Sequence, residues 1–347
     1  MIGMFYLVKL ADGRAIIIDG GALTEGGADD VYNALTSHGI LVNDEGRIVI
    51  AAWILTHNHD DHIGAFVAFA EKYSHLASVD QVLYSFPNDR RLVCDGYALD
   101  ATERAIDRFF FTAKRAIPRG GVSYAYGNAT VRFLVTGDTQ YSDTRFVSDH
   151  NDTSLTFMLE AGGVRVLFLA DGGEETAKRI LGCYSAEELK CDIVQIPHHG
   201  LFTGAFKRNY TPEVLARMTR AEKDARWKER FEHKFLDRLY ETASPALALL
   251  PMGDTNGNPG CGRSTVLGDW VERYGQIAYF MDISAPNKGY DGVNKVKKEG
   301  LVTYIASSED EQMITSFSLE GGKAMLLQNK PLKEYFNENM KGENTNG

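Results

Sequence analysis

Residues 56–64 read Thr-His-Asn-His-Asp-Asp-His-Ile-Gly and follow directly on an apolar stretch, residues 47–55. A continuous apolar run of this length is typical of a strand buried on both faces. The next stretch, residues 63–73, carries apolar side chains at helical spacing. We therefore predict a strand, a polar loop and a helix, with the polar side chains gathered at the carboxyl end of a buried strand.

Three histidines and two aspartates within six residues make this loop a candidate metal centre. Side chains two apart in an extended segment project to the same side, so His57 and His59 can bind one cation while Asp61 and His62 turn toward a second. Burying these groups without a cation would cost on the order of several kcal/mol. Imidazole and carboxylate ligands suit Zn²⁺, and also Mn²⁺ or Fe²⁺.

Predicted strands and helices alternate over most of the chain. Strands are predicted at residues 5–10, 15–19, 47–55, 81–85, 131–135, 154–160, 164–170, 192–196, 246–252, 301–306, 313–319 and 323–327. Helices are predicted at residues 29–37, 63–73, 98–117, 174–181, 211–242 and 264–274. This order predicts a layered α/β protein. We expect one domain over residues 1–335, with a helical insertion at about 205–242 and a flexible polar tail at 336–347.

Three segments resemble a known family. The HxHxDH loop, the preceding residues 16–21 (IIIDGG) and the later residues 169–172 (LADG) resemble the metallo-β-lactamase superfamily in its usual order. Residues 151–155 (NDTSL) and 196–200 (IPHHG) resemble, within it, the hydrolase domain of ComEC-type competence proteins and the related phosphorylcholine esterases. The resemblance implies a four-layer αββα sandwich and two divalent metal ions, with Zn²⁺ favoured over Mn²⁺ or Fe²⁺.

The resemblance also implies roles for the matching residues. It makes metal ligands of His57, His59, Asp61, His62, His150, Asp171 and His199. Asp171 would bridge the two cations, and His150 and its neighbour Asn151 remain alternatives at the first. Asp61 would help to orient the attacking hydroxide, and His198 would orient the substrate or protonate the leaving group. Asp19 is interpreted as a residue that holds a ligand loop by hydrogen bonds.

The implied reaction is hydrolysis of a phosphodiester, in a small molecule or nucleic acid, by a hydroxide bound to both metals. A lactone, thioester or other carboxyl ester is an alternative substrate, and a non-catalytic binding protein that retains the metal is an alternative class. A diiron redox centre is disfavoured because such relatives usually carry glutamate where this chain has His59. ComEC-like domains also carry a His-Pro pair where this chain offers Asn258-Pro259, so its substrate choice can differ.

Composition excludes some classes of protein. The net charge of −10 argues against a protein that coats nucleic acid. Residues 207–238 contain ten Lys or Arg and six Asp or Glu, a local balance of +4. We interpret this segment as a solvated helix, in preference to a cradle that binds a polyanion. Four cysteines without a CxxC pair predict reduced thiols. The first ten residues read as a strand and no apolar stretch is long enough to span a bilayer, so we expect a cytoplasmic protein.

Overall fold

A computed structural model describes residues 4–86, 99–137, 150–198, 219, 234–250, 277–280, 295–298, 301–304 and 313–331. Within these ranges the chain forms two sheets, a separate two-stranded ribbon and the helices that cover the sheets. Among the helices of these ranges, none has the length and apolar character needed to cross a membrane.

The amino-terminal half builds the first sheet. Its strands are β1 (Phe5–Lys9), β2 (Ala15–Asp19), β3 (Ile48–Ile54), β4 (Ala77–Val79), β5 (Gln81–Leu83) and β6 (Lys114–Ala116). The order is β1-β2-β3-β5-β6, and β4 pairs with the first half of β3. Apart from the antiparallel β1–β2 hairpin, the pairs are parallel. The carboxyl ends of β2 and β3 therefore lie at one edge, and the loops that follow them meet there.

Three helices cover the outer face of this sheet: α1 (Gly27–Ser37), α2 (Asp60–Tyr73) and α3 (Leu99–Phe109). Trp53 of β3 anchors α2 by contacting Phe66 and Phe69, with ring centroids 4.8 and 5.2 Å apart. Burial of large aromatic side chains is a dominant source of stability in such layers. The helix is thereby held over the end of β3, with its first turn at the polar loop.

The second sheet has nine strands. They are β7 (Ser123–Tyr126), β8 (Ala129–Val135), β9 (Thr156–Ala161), β10 (Val164–Phe168), β11 (Ile193–Gln195), β12 (Leu247–Leu250), β13 (Ile277–Phe280), β14 (Lys295–Lys298) and β15 (Leu301–Tyr304). Their order is β14-β15-β13-β12-β11-β10-β9-β8-β7. This half of the chain also contains the helices α4 (Glu174–Cys183), α5 (Ala186–Leu189) and α6 (Lys234–Ala243). Strands β16 (Met313–Glu320) and β17 (Lys323–Pro331) form the ribbon, whose turn donates a hydrogen bond from Gly322 N to Gly162 O at 2.9 Å.

Three hydrophobic layers separate the helices and sheets. Alternation along β2 shows this directly, because Ile17 packs on the helix side whereas Ile16 and Ile18 pack between the two sheets. A third cluster, which includes Leu167, Ile180 and Leu239, lies between the second sheet and its helices. The four-layer αββα sandwich predicted from the sequence is therefore confirmed.

Several element boundaries differ from those predicted. The helix expected over residues 98–117 ends at Phe109, and Lys114–Ala116 instead pairs in parallel with β5. This edge strand has charged residues at two of its three positions, so its strand pairing depends on tertiary contact that local propensity does not encode. Strands β4, β7, β13 and β14 were also not predicted. The strand expected at residues 164–170 ends at Phe168, because Ala170 adopts a left-handed turn with φ of 49°.

Other predictions lie partly outside the described residues. Of the helical insertion at about 205–242, the structure describes Thr219 and the residues of α6, and the predicted helix at 264–274 falls outside the described ranges. The domain limits and the polar tail stay predictions. Cys183 is exposed and Cys191 is buried, and both are free thiols, as the sequence predicts for these two.

Candidate metal centre

The site lies where the ends of four strands meet, two from each sheet. Asp19 is the last residue of β2, and His57 follows β3 by three residues. From the second sheet, Asp171 and His198 each follow by three residues the strands β10 and β11, which run parallel. Because parallel strands end at the same edge, these four side chains converge from segments far apart in the sequence.

The histidine loop folds as its spacing predicts. His59 has an extended backbone and precedes α2, whose first turn is closed by hydrogen bonds to His59 O from His62 N at 3.1 Å and from Ile63 N at 3.0 Å. The imidazole rings are gathered together, with the centroid of His57 4.6 Å from that of His59 and 4.1 Å from that of His62. The helix thus begins at Asp60, three residues before the predicted start, and carries His62 in its first turn.

Asp171 completes a group of atoms that are able to ligate a metal ion. One ligand atom from each of His57, His59 and Asp171 lies within 4.8 Å of the others. The two carboxylate oxygens of Asp171 face different histidines: Oδ2 is 3.7 Å from His57 Nε2, and Oδ1 is 3.3 Å from His62 Nε2. The side chains of His57, His62 and Asp171 are at most 1% exposed. The chain therefore gathers imidazole and carboxylate ligands at one buried point, which is the donor set that divalent transition metals prefer.

Asp19 holds the histidine loop in place through contacts with Thr56 and His62. Its carboxylate is fully buried and accepts hydrogen bonds from Thr56 N at 2.7 Å and Thr56 Oγ1 at 2.8 Å. It also lies 2.7 Å from His62 Nδ1. With Nδ1 held by this carboxylate, Nε2 of His62 is the ring nitrogen that faces Asp171. Such a carboxylate partner sets the tautomer and orientation of a metal-binding imidazole.

Burial and neighbouring charges shift the pKa values of these groups in opposite directions. Burial lowers the pKa of His57 well below its usual value, and the nearby His62 adds to this effect. Burial also acts against the charged form of His62, but the carboxylates of Asp171, Asp19 and Asp61 outweigh it and raise the pKa. Burial raises the pKa of Asp19, although His62 and Thr56 act the other way. The buried carboxylates thus require a positive charge between them, which a proton on His62 or a cation supplies.

The residues present fit a metal ion. Among the described residues, no hydrogen-bond partner exists for the buried Nε2 atom of His57, although a buried polar atom without a partner is costly. The low pKa of His57 keeps its imidazole neutral, the form that ligates metals. Nε2 of His57 lies within reach of the same Asp171 carboxylate that faces His62, so a cation at this point would satisfy ligands from both sheets.

Two polar residues not identified from the sequence hold the halves of the site together. Ser154 Oγ accepts a hydrogen bond from Asp171 N at 3.2 Å, and Leu155 N donates to Thr56 O at 2.9 Å. The segment before β9 therefore contacts both the aspartate loop and the histidine loop. Gln195, at the end of β11, is fully buried and bonds to the backbone before Asp171. A polar residue within an apolar strand is the sequence signal that could have drawn attention to Gln195.

Backbone strain is concentrated at this edge. Four non-glycine residues of the described ranges have positive φ angles, and three of them are Asp19 at 56°, Ala170 at 49° and His198 at 51°. Left-handed backbone costs L-residues about 1–2 kcal/mol each. Strain of this kind persists where surrounding contacts over-determine the conformation, and it clusters at functional sites.

The structure describes the remaining predicted site residues in different detail. Asp61 lies half-buried in the first turn of α2, where its charge contributes to the raised pKa of His62 and partly opposes the lowering of the pKa of His57. His198 is 20% exposed, with Nε2 3.9 Å from Asp171 Oδ2 and 3.3 Å from Asn151 Nδ2. His150 begins a short 3-10 helix, His150–Thr153, and its role as a ligand stays a prediction. His199 lies outside the described residues.

The match to a family model agrees with this architecture. The family model described as metallo-β-lactamase superfamily matches residues 2–208. No significant match exists among curated proteins. The metallo-β-lactamase fold protein YhfI from Bacillus subtilis is 12% identical, with 80% of this chain and 88% of that chain covered and a TM-score of 0.45.

Two further solved structures are similar to parts of the chain. CmlA, a diiron β-hydroxylase from Streptomyces venezuelae, is 15% identical over 80% of this chain, with a TM-score of 0.45. The match covers 51% of CmlA, so the chain spans about half the length of that protein. Zinc-bound PqqB from Methylobacterium extorquens is 13% identical, with 55% of this chain and 58% of that chain covered and a TM-score of 0.35. On the match of the family model over residues 2–208, the chain belongs to the metallo-β-lactamase superfamily, whose members are generally hydrolytic enzymes.

Proposed function

We propose that this chain is a metal-dependent hydrolase that cleaves a phosphodiester at a dinuclear metal centre. The observation that carries the proposal is the convergence of ligand atoms from His57, His59 and Asp171 within 4.8 Å of one another. These residues follow strands of two different sheets, and the burial of His57 beside the carboxylate of Asp171 is costly unless a positive charge offsets that of the carboxylate.

The assignment of ligands follows the family resemblance, and for His57, His59, His62 and Asp171 it agrees with the positions of the side chains. We assign His57 and His59 to the first cation, His62, Asp61 and His199 to the second, and Asp171 to both. The two oxygens of Asp171 face His57 and His62 respectively, which supports a shared role. When bound, the two divalent cations supply an acidified water and neutralise charge that develops on a phosphoryl oxygen.

The protein's own groups orient the reactants. Asp19 keeps His62 in one tautomer through the contact at Nδ1, and Asp61, in the first turn of α2, orients the attacking water. The ring of His198 is partly open to solvent, whereas those of His57 and His62 are fully buried, and it lies against Asn151 and Asp171. We assign His198 to hold the substrate or to donate a proton to the departing oxygen.

A phosphodiester substrate is favoured over a carboxyl ester by sequence likeness. Residues 151–155 and 196–200 resemble the corresponding segments of ComEC-type hydrolase domains and phosphorylcholine esterases. In this chain the first of those segments contributes Asn151 and Ser154, which contact His198 and Asp171. Because these segments lie beside the proposed reaction centre, their likeness bears on the chemistry more directly than the shared fold does.

The proposal is tested by turnover with matched aspartate variants. Zinc-reconstituted protein is assayed against bis(p-nitrophenyl) phosphate, nucleic acid, a lactone and a thioester. Asp171→Asn is expected to lower turnover of the phosphodiester by at least about 100-fold, because one ligand is weakened at both cations. The control is Asp60→Asn, at an exposed position one residue before Asp61, which is expected to keep wild-type turnover.

Two results would overturn parts of the proposal. Preferred turnover of the lactone or thioester would reject the phosphodiester and leave the hydrolase. Zinc-loaded protein inert toward all four substrates would favour the alternative of a binding protein that retains a metal site. Asp61→Ala tests the role of that carboxylate, because unchanged turnover would reject it.

A further inference from the structure

We propose that Gln195 is a positioning residue that fixes the spacing between the loop of Asp171 and the loop of His198. The inference rests on the metal centre proposed above, and it concerns a side chain that touches neither a metal ligand's side chain nor the substrate. Gln195 ends β11 and is fully buried. A primary amide at such a position is retained only if its donors and acceptor are satisfied.

The amide of Gln195 bonds to the backbone of both loops. Its Oε1 accepts a hydrogen bond from Leu169 N at 2.9 Å, and its Nε2 donates to Ala170 O at 3.1 Å. Nε2 also donates to Ile196 O. Leu169 and Ala170 directly precede Asp171, whereas Ile196 directly precedes the Pro197-His198 pair. One side chain therefore contacts the backbone on each side of the gap between the two loops.

These bonds begin where the pairing of the two strands stops. The parallel register of β10 and β11 pairs Val166 with Ile193 and Leu167 with Val194. Beyond Phe168 the chain leaves β10 and enters the left-handed turn at Ala170. In this region the side chain of Gln195 forms hydrogen bonds with the backbone of Leu169 and Ala170, in place of the backbone hydrogen bonds that join the two strands.

Ala170 O is the point that both loops share. It accepts hydrogen bonds from Gln195 Nε2 at 3.1 Å and from His198 N at 2.9 Å. Asp171 follows Ala170 directly, and its Oδ2 lies 3.9 Å from His198 Nε2. A shift of the Ala170 carbonyl would therefore displace the aspartate and the histidine together. Loss of the Gln195 amide would make the position of the Ala170 carbonyl less fixed, whereas all the proposed metal ligands would still be present.

The test compares zinc affinity with stability in two buried polar variants. Gln195→Leu has similar volume and removes all three hydrogen bonds. Thr156→Val is the matched control, because Thr156 is fully buried and its Oγ1 accepts a hydrogen bond from Val135 N at 3.1 Å, in the pairing of β9 with β8. Affinity for Zn²⁺ alone is measured by competition with a chromogenic chelator, and stability by urea denaturation.

We expect both variants to unfold at lower urea, whereas Gln195→Leu alone binds zinc about tenfold more weakly, at the lower end of the effect of residues that orient metal ligands. Zinc affinity of Gln195→Leu within twofold of that of the unaltered chain would overturn the role of Gln195 and leave the metal centre intact. Failure of the unaltered chain to bind zinc would overturn the metal centre and this inference together.

A second variant covers a failure of Gln195→Leu to fold. Gln195→Glu keeps the side-chain length and the acceptor for Leu169 N, but an ionised carboxylate cannot donate to the carbonyls of Ala170 and Ile196. We expect it to weaken zinc binding by a similar factor. Wild-type zinc affinity in Gln195→Glu would overturn the proposal.

Discussion

Replacing Gly64 by alanine tests how the loop after β2 is held against α2, the helix that carries Asp61 and His62. Gly64 lies within α2, two residues after His62. A Cβ atom there would lie 2.3 Å from Leu23 N, 2.8 Å from Leu23 Cβ and 2.9 Å from Leu23 Cα. Two hydrogen bonds cross the same contact: Ala65 N to Gly21 O at 3.0 Å and Gly20 N to His62 O at 2.7 Å.

The magnitude follows from these distances. Ordinary contact with a Cβ atom begins at 3.4 Å, so the loop and α2 must separate locally by about 1 Å. Overpacking of this kind costs about 1–3 kcal/mol, and weakening of the two hydrogen bonds adds about 1–2 kcal/mol. Alanine recovers up to about 1 kcal/mol through its higher helix propensity. We expect a net loss of about 1–4 kcal/mol in the free energy of unfolding.

Urea denaturation measures this loss, and Gly182→Ala is the matched control. Gly182 also lies in a helix, α4, and a Cβ atom there would meet nothing within 4 Å. The control is expected to keep or slightly raise the stability. Because Asp19 directly precedes the displaced loop, zinc affinity should fall in Gly64→Ala and stay unchanged in Gly182→Ala. Equal stability of the two variants would refute the inferred close contact between the loop and α2.

Three further outcomes are expected. Asp19→Asn should weaken zinc binding by about 10–100-fold, because His62 loses its carboxylate partner, and unchanged affinity in chelator competition would contradict this. Iodoacetamide at pH 8 should alkylate the exposed Cys183 well before Cys191, because burial raises the pKa of Cys191 to about 12, and equal labelling in peptide mass spectra would contradict it. Glu174→Ala should lower the free energy of unfolding by about 1–2 kcal/mol, because both its carboxylate oxygens accept backbone hydrogen bonds at the start of α6, and an unchanged urea midpoint would count against this.

The periodicity of apolar residues predicts those features of the fold and the site whose residues lie within one segment of the chain. The apolar run before Thr56 and the spacing of the histidines predict a buried strand, a polar loop and a helix, and the structure contains all three. The convergence of His57 and His59 follows from side-chain geometry alone. Asp171 is different, because its approach to His57 depends on the packing of two sheets, and only the likeness of residues 169–172 to a known family indicated it.

Contacts between a side chain and a distant backbone could not be predicted. Thr56, Ser154 and Gln195 hold the site through such bonds, and their partners are defined only once the strands have been paired. The same reason accounts for β6, where Lys114 and Arg115 form an edge strand beside β5. Propensity describes a residue in isolation, whereas these features depend on what the fold brings next to it.

Zinc content tests the central claim most directly. Protein reconstituted with zinc and then freed of loosely bound metal by gel filtration is analysed by inductively coupled plasma mass spectrometry. We expect about two zinc ions per chain for a dinuclear site, and fewer in Asp171→Asn, because the oxygens of Asp171 face both His57 and His62. A well-folded chain that retains no zinc, or an Asp171→Asn variant that retains the full amount, would contradict the account.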